Sequence, residues 1–316
     1  MTSGTVWLAS YPRSGSTWTR AVLAALSRAT ADRGAGGRGV AFDPDPCRRL
    51  RHSPGPLDIN ALGDGPIASS RAALDAVIGF ASSDLLPDDI DALRPAADAA
   101  EDRGPGRVTI RKIHDGLFSG PGTRTIVDPT TTRAAIYLVR DPRDVAVSLA
   151  AFLGRPPTWA VPWMANPEAA LGSSATELSS EVRQRLGTWS HHVDGWTGHQ
   201  LFPVEVFRYE DLHADPVGQF ARLAAVAGLT VGAAEVAAGV AAARFDRLRE
   251  QEVRHGFRER PFADRRFFRR GIVGSWRDEL GTDLVSRIER DHHTTMTRLG
   301  YALASMDGEL SPVRSD

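Results

Sequence analysis

Residues 5–28 constrain this chain more than any other segment. The apolar run Val6-Trp7-Leu8-Ala9 leads into Ser10-Tyr11-Pro12-Arg13-Ser14-Gly15-Ser16-Thr17-Trp18. A helical pattern follows to about Arg28, with Trp18, Val22, Leu23 and Leu26 on one side. The order is strand, tight loop, helix start. The loop holds small residues, one glycine, one cation and several hydroxyls. In such a loop backbone N–H groups converge and the helix dipole favours negative charge, so the segment reads as an anion site. The same small residues would also serve a plain turn.

The loop is similar to a Walker A motif but departs from it. Aligning Gly15 with the second Walker glycine puts Ser16 where the phosphate-binding lysine belongs. Arg13 stands ahead of the glycine, and Ser10 replaces the first one. A nucleoside triphosphatase would lose its main contact to the terminal phosphates. The loop suits a phosphate, but not those of ATP.

Short buried-strand patterns recur at Thr5–Ser10, Val108–Ile113, Ala134–Val139 and Val204–Tyr209. Helical patterns follow at 17–28, 142–152 and 215–228. The alternation predicts an α/β fold, a central parallel sheet flanked by helices on both faces. Ligands in such sheets bind at the carboxyl ends of the strands. Further helices are predicted over 71–81, 88–100 and 181–196, and two packed helices over 224–243 broken at Gly228-Leu229-Thr230. Segments 31–70 and 154–179 are rich in Gly and Pro and read as irregular. Residues 254–271 are basic and aromatic without clear periodicity. Nothing separates domains, so residues 1–304 are expected to form one domain and 305–316 a polar tail.

Composition excludes several classes. A net charge of −1 over 316 residues gives no field to draw the chain to nucleic acid. Cys47 is the single cysteine, so neither an intramolecular disulfide nor paired CxxC zinc ligands can form. No signal peptide or transmembrane segment is evident, and a cytoplasmic setting is expected. Abundant Ala, Arg and Gly suggest a GC-rich bacterial source. Lys112 is the only lysine.

Three more segments carry chemistry. Arg111-Lys112-Ile113-His114 ends the second strand, and alternation puts Lys112 and His114 on one side, a cation beside an imidazole able to act as a base. Four other histidines, His191, His192, His292 and His293, read as solvated helix positions. Arg140 at the tip of the third strand and Ser148 on the next helix could hold one anion. They would equally fit an ordinary helix start, with Asp141 and Asp144 as acidic first-turn residues. Arg269-Arg270-Gly271 suits a phosphate clamp, or a solvated basic run.

Taken in order, these four segments resemble the soluble sulfotransferases that use 3′-phosphoadenosine-5′-phosphosulfate (PAPS). Weaker matches are Gly187-Thr188-Trp189 and Phe207-Arg208-Tyr209-Glu210-Asp211. The resemblance runs from residue 5 to about 280 and implies a P-loop nucleotide-kinase-like fold, with a bacterial member in view. It implies that Arg13 and the N–H groups of Ser14, Gly15, Ser16 and Thr17 bind the 5′-phosphosulfate. Trp18 would stack on adenine near Tyr209 and Phe245. Arg140, Ser148, Arg269, Arg270 and Gly271 would hold the 3′-phosphate. His114 would take the proton of an acceptor hydroxyl, and Lys112 would neutralise the sulfuryl group in flight. PAP would be the product, and no metal is expected. Arg13 stands where the family often has Lys.

An ATP-dependent small-molecule kinase and a non-catalytic nucleotide-binding module remain the alternatives. The acceptor is expected to be a small-molecule hydroxyl, such as that of a natural product or glycolipid. Its walls are expected from 42–100, 154–179 and 250–266, which hold Phe42, Leu57, Ile59, Phe80, Trp159, Trp163, Phe257 and Phe262.

Overall fold

The strand at the head of the chain, β1 (Gly4–Ser10), is buried at all seven positions. A strand with no solvent face must lie inside a sheet covered on both sides. Helices α1 (Ser16–Ala31), α2 (Arg71–Ile78) and α3 (Pro87–Ala100) follow, then β2 (Val108–Ile113) and β3 (Thr132–Val139). Helices α4 (Pro142–Leu153) and α5 (Pro157–Met164) precede a two-stranded antiparallel ribbon of β4 (Ala170–Leu171) and β5 (Gln184–Arg185). Then come α6 (Trp189–Thr197), β6 (Val204–Arg208), α7 (Tyr209–Ala214), α8 (Pro216–Val226), α9 (Ala233–Ala242), α10 (Phe245–His255) and α11 (Thr282–Arg298). The computed structural model describes residues 4–31, 57–64, 68–100, 108–118, 124–172 and 178–304. Phe42, Cys47 and the tail 305–316 lie outside them.

The main sheet runs β2-β1-β3-β6, with every pairing parallel. Side-chain alternation divides its two faces. Val6, Leu8, Ile136 and Leu138 join Val22, Leu23 and Leu26 of α1, Phe220 and Leu223 of α8 and Val236 of α9 in one core. Trp7, Ala9, Tyr137 and Val139 join Val145 and Leu149 of α4, Trp189 and Trp196 of α6 and Ile288 of α11 in the other. The predicted layering is therefore observed, with the ends of β1, β2, β3 and β6 directed to one edge.

Three segments differ from the expected elements. Residues 181–186 are extended around β5, Gly187 turns with φ +65°, and α6 begins only at Trp189. The period there is two: Val182, Gln184 and Leu186 are buried, while Arg183 and Arg185 pair with Asp88 and Asp91. Thr188 then caps α6 by accepting from the His191 N–H at 3.0 Å. Inside 154–179, Pro157 starts α5, as proline can at a first helical turn. Helix α10 also forms just ahead of the basic run, its Leu248 and Glu252 turned inward.

Two histidines expected in solvent are core residues: His192 is 1% exposed and His292 2%. Both are saved by partners. His192 lies between the Tyr137 hydroxyl (2.8 Å) and the His114 carbonyl (2.9 Å), and His292 sits 2.9 Å from the Ser190 hydroxyl.

The end of β2 is anchored by a buried ion pair. Arg94 of α3 donates to both oxygens of Asp115, at 2.8 and 2.7 Å. The same carboxylate accepts from the Arg185 N–H, and the Asp115 carbonyl accepts from Trp196 at 2.8 Å. Asp115→Ala would leave the buried Arg94 with Asp91 at 3.8 Å as its remaining carboxylate, and is expected to cost about 3 kcal/mol in urea denaturation.

Candidate active site

A cavity of about 700 Å³ opens where the strands end, and the loop after β1 forms its floor. Arg13 (φ +71°) and Gly15 (φ +103°) both take the left-handed region around Ser14. Such alternation turns successive N–H groups toward one side, the geometry of an anion-binding concavity. Gly15 is required twice over, by its φ and because a Cβ there would stand 2.8 Å from the Tyr209 ring. Helix α1 starts at once, its first N–H groups adjoining the concavity. Gly15, Ser16, Thr17 and Trp18 line the cavity. Ser14 does not line it; it is fully buried, and its hydroxyl has no partner among the described residues.

Arg13 turns away from the loop centre. Its Nε donates to the Ser148 hydroxyl at 3.1 Å and its Nη2 to the Phe267 carbonyl at 3.2 Å. The guanidinium packs against the Phe152 and Phe267 rings, 4.6 and 4.3 Å from their centroids, and the two rings meet edge to face at 5.8 Å. Burial, and then the Arg140 charge, pull its pKa down to about 10, so it remains charged at neutral pH. Two groups that the sequence placed at separate anion subsites are thus in contact.

Arg140 leaves β3 beside them. It donates to the Ile272 carbonyl at 2.9 Å, lies over the Tyr209 ring at 4.3 Å and approaches Asp144 at 3.5 Å. Its Nε is buried with no partner among the described residues. The 269–276 loop closes this side. Arg269 and Arg270 line the cavity while paired with Glu279, and Arg270 also with Asp278. Gly271 (φ +63°) packs so tightly on Phe245 that any side chain would collide with the ring.

Lys112 and His114 face the same cavity, as their alternation predicts. His114 Nδ1 lies 2.8 Å from the Ser10 carbonyl, an oxygen that only accepts. The proton therefore sits on Nδ1 and the lone pair on Nε2. Burial, then the neighbouring Lys112 charge, hold His114 well below the ordinary histidine value, against the opposing Ser10 hydrogen bond. The imidazole is neutral at pH 7 and can accept a proton. His192 fixes its backbone from behind.

Trp18 forms the far wall, edge-on to Tyr209 at 6.0 Å and Phe220 at 5.2 Å, and against His213 at 4.9 Å. Tyr209, Phe245 and His213 complete an aromatic slot beside it.

The expected acceptor walls are corrected. Leu57, Ile59 and Phe257 are buried in a core, Phe80 and Phe262 are exposed, and Trp159 stacks on Trp163 at 5.5 Å. None of them lines the cavity. Two of the expected segments do reach it, but through Leu171, Gly172 and Ser179, and through Arg258 and Glu259. Among the described residues no group of three His, Cys, Asp or Glu side chains could hold a metal ion. No helix there is long and apolar enough to cross a membrane.

Two acids take on roles that the sequence does not assign them. Asp144 accepts from the Gly274 N–H (2.7 Å), the Trp276 N–H (3.0 Å) and the Ser275 hydroxyl (3.1 Å), and so shapes the clamp loop. Glu252 does the same for the Phe267 and Phe268 N–H groups, at 2.6 and 2.9 Å. The one sequence signal was the spacing of Asp144 one helical turn after Arg140. Asp144→Ala is expected to cost about 3 kcal/mol and to accelerate amide hydrogen exchange at Gly274 and Trp276 specifically.

The site can now be set beside known proteins. A family model described as the sulfotransferase domain matches residues 131–300, more than half of the chain. Cytosolic sulfotransferase 17 of Arabidopsis thaliana is 29% identical over 167 residues, covering 49% of this chain and 46% of that protein. Flavonol 3-sulfotransferase of Flaveria bidentis is 25% identical over 174 residues, covering 51% and 54%. The chain spans about half the length of the curated relatives it matches. In fold it is similar to a mouse sulfotransferase solved with PAP, with a TM-score of 0.58 and 17% identity over 96% of this chain and 88% of that one. It is also similar to retinol dehydratase solved with retinol and PAP, with a TM-score of 0.50 and 18% identity over 92% and 81%. The matched residues run from the start of β3 to the end of α11 and carry Arg140, Ser148, Tyr209 and the clamp loop, and the chain belongs to the sulfotransferase family.

Proposed function

We propose that this chain moves a sulfuryl group from PAPS to a hydroxyl of a small-molecule acceptor, leaving PAP. The observation that carries this reading is His114: neutral, with its Nε2 lone pair available, in one cavity with Lys112 and an anion-binding loop. The residues fit the donor. An unpartnered Arg140 Nε, the Ser148 hydroxyl and the loop N–H groups are anion donors, and the slot at Trp18 suits a flat purine. PAPS would supply an activated sulfuryl group; the protein has to hold it, aim it and neutralise its charge.

His114 takes the proton of the acceptor hydroxyl as its oxygen bonds to sulfur. The bond from sulfur to the phosphate oxygen breaks in line, and the electron pair leaves with the phosphate. Lys112 stands beside His114 to meet charge on the sulfuryl oxygens. Arg13, as positioned, serves the Ser148 side; it carries no proton to the leaving group, because a guanidinium does not release one at working pH. Residues 1–304 act as one catalytic unit in this reading, and the acceptor is a natural product or glycolipid met in the cytoplasm.

Calorimetric titration with PAP against ATP and Mg²⁺ tests the donor: tight PAP binding without ATP binding is expected, and the reverse result would favour a kinase. His114→Ala should lower turnover by about 10²–10⁴-fold with PAP affinity unchanged. Arg140→Ala should weaken PAP binding by at least about tenfold. The lowered His114 pKa means the base form survives as pH falls through 6.5, so the acid limb of kcat/KM belongs below that value. A limb at or above pH 6.5 would remove His114 from the role.

A further inference from the structure

Two carboxylates, Glu181 and Glu259, line this cationic cavity with no part in the reaction described, and Glu259 is the one ion-paired to Lys112. Glu259 lies on the segment after α10 and lines the cavity beside Lys112. Its Oε1 makes a short ion pair with Arg20 of α1, and its Oε2 stands 3.7 Å from Lys112 Nζ. All three side chains are largely withdrawn from solvent, at 4% for Arg20, 12% for Lys112 and 17% for Glu259. The Arg20 pair alone would satisfy a structural glutamate, and Arg20 is anchored independently by the Leu62 carbonyl at 3.2 Å. The second oxygen is turned toward the one lysine of the chain.

We propose that Glu259 is the resting counter-ion of Lys112, a positioning residue that keeps the lysine charged and directed into the cavity until the anionic donor takes its place. The groups around Lys112 define the problem. Arg20, Arg13, the His114 ring and Glu181 all act on it, and Glu259 is its one ion-pair partner among the described residues. Burial and the two arginines favour an uncharged amine, and Glu259 is the strongest opposing influence. Burial would raise the carboxyl of Glu259, but Lys112 and Arg20 outweigh it and hold the group at about 2, so it is ionised at every working pH. An empty site that gathers cations without an anion is costly; a resident carboxylate that a stronger anion can displace removes that cost. The counter-ion role stands on this geometry alone, while the displacement rests on the sulfuryl-transfer reading.

The single lysine makes the test direct. Protein grown on ¹³C-lysine gives one Lys112 Cε resonance, whose shift against pH reads its titration. In Glu259→Gln without ligand the midpoint should fall by about one pH unit or more, and a change under about 0.3 unit would overturn the proposal. Glu181→Gln, which removes a carboxylate outside the ion pair, should move it less than Glu259→Gln; an equal or larger fall would also overturn it. With saturating PAPS the gap between wild type and Glu259→Gln should close, and an undiminished gap would refute displacement. Failure of PAPS to bind by calorimetry would count against the sulfuryl-transfer reading and leave the ligand-free comparison decisive. If Glu259→Gln does not fold, Arg20→Met/Glu259→Gln removes both members of the Arg20 pair, and its Lys112 midpoint should lie below that of Arg20→Met alone; no fall between those two variants would overturn the proposal.

Discussion

Everything at this site depends on holding three cations, Arg13, Lys112 and Arg140, in one cavity, with a fourth, Arg20, joined to Lys112 through Glu259. Like charges at such distances repel strongly where water is scarce. The fold opposes that repulsion mainly with backbone. The carbonyls of Phe267, Ile272 and Leu62 each accept from one of the guanidiniums. Carboxylates are few and specific: Asp144 near Arg140, and Glu259 between Arg20 and Lys112. Partial charges hold the cations in place without neutralising them. A cluster of that kind is organised for an anion before the anion arrives, so little rearrangement is needed on binding.

The supporting layer follows one rule: an acid is used where a loop's N–H groups must be gathered. Asp144 collects those of Gly274 and Trp276, and Glu252 those of Phe267 and Phe268. Both acids sit on helices, rigid relative to the loops they shape. His114 is fixed by the same logic from the opposite direction. Its ring is pinned by the Ser10 carbonyl, its own carbonyl accepts from His192, and Arg94 anchors Asp115 next to it. Each contact reaches across the fold, tying β2 to β1, α6 and α3.

The sheet and the four ligand-facing segments were legible because each is written locally. A buried parallel strand is a short apolar run, and a strand-loop-helix turn carries its small residues in sequence. Segment 181–186 was misread because its extended form comes from ion pairs between Arg183, Arg185 and residues 88 and 91, a partner set no local window contains. His192 was misread for a related reason. A histidine on a helix looks solvated until Tyr137 and the His114 carbonyl arrive from other elements to satisfy it. The acceptor walls failed on chemistry as well as distance. Aromatic residues were sought there, yet the described aromatics went to the cores or the outer surface, and Ser179, Glu181 and Gln184 face the cavity.

The choice of arginine at position 13 gains a reason from its surroundings. A guanidinium is flat, so it can rest against aromatic rings and still donate at its edge. Arg13 does both: its carbon lies 4.6 and 4.3 Å from the Phe152 and Phe267 ring centroids, and Ser148 and the Phe267 carbonyl take its N–H groups. An ammonium has neither the planar surface nor the fixed fork of donors for that arrangement. The arrangement also commits Arg13 to the Ser148 side of the cavity, which leaves Lys112 as the titratable cation whose charge acts most on His114. One lysine in a chain otherwise reliant on arginine is then explicable on physical grounds. Arginine serves where a fixed fork and permanent charge organise the site. Lysine stands at the point where a compact charge must change partners, from a carboxylate of the protein to an anion that comes and goes.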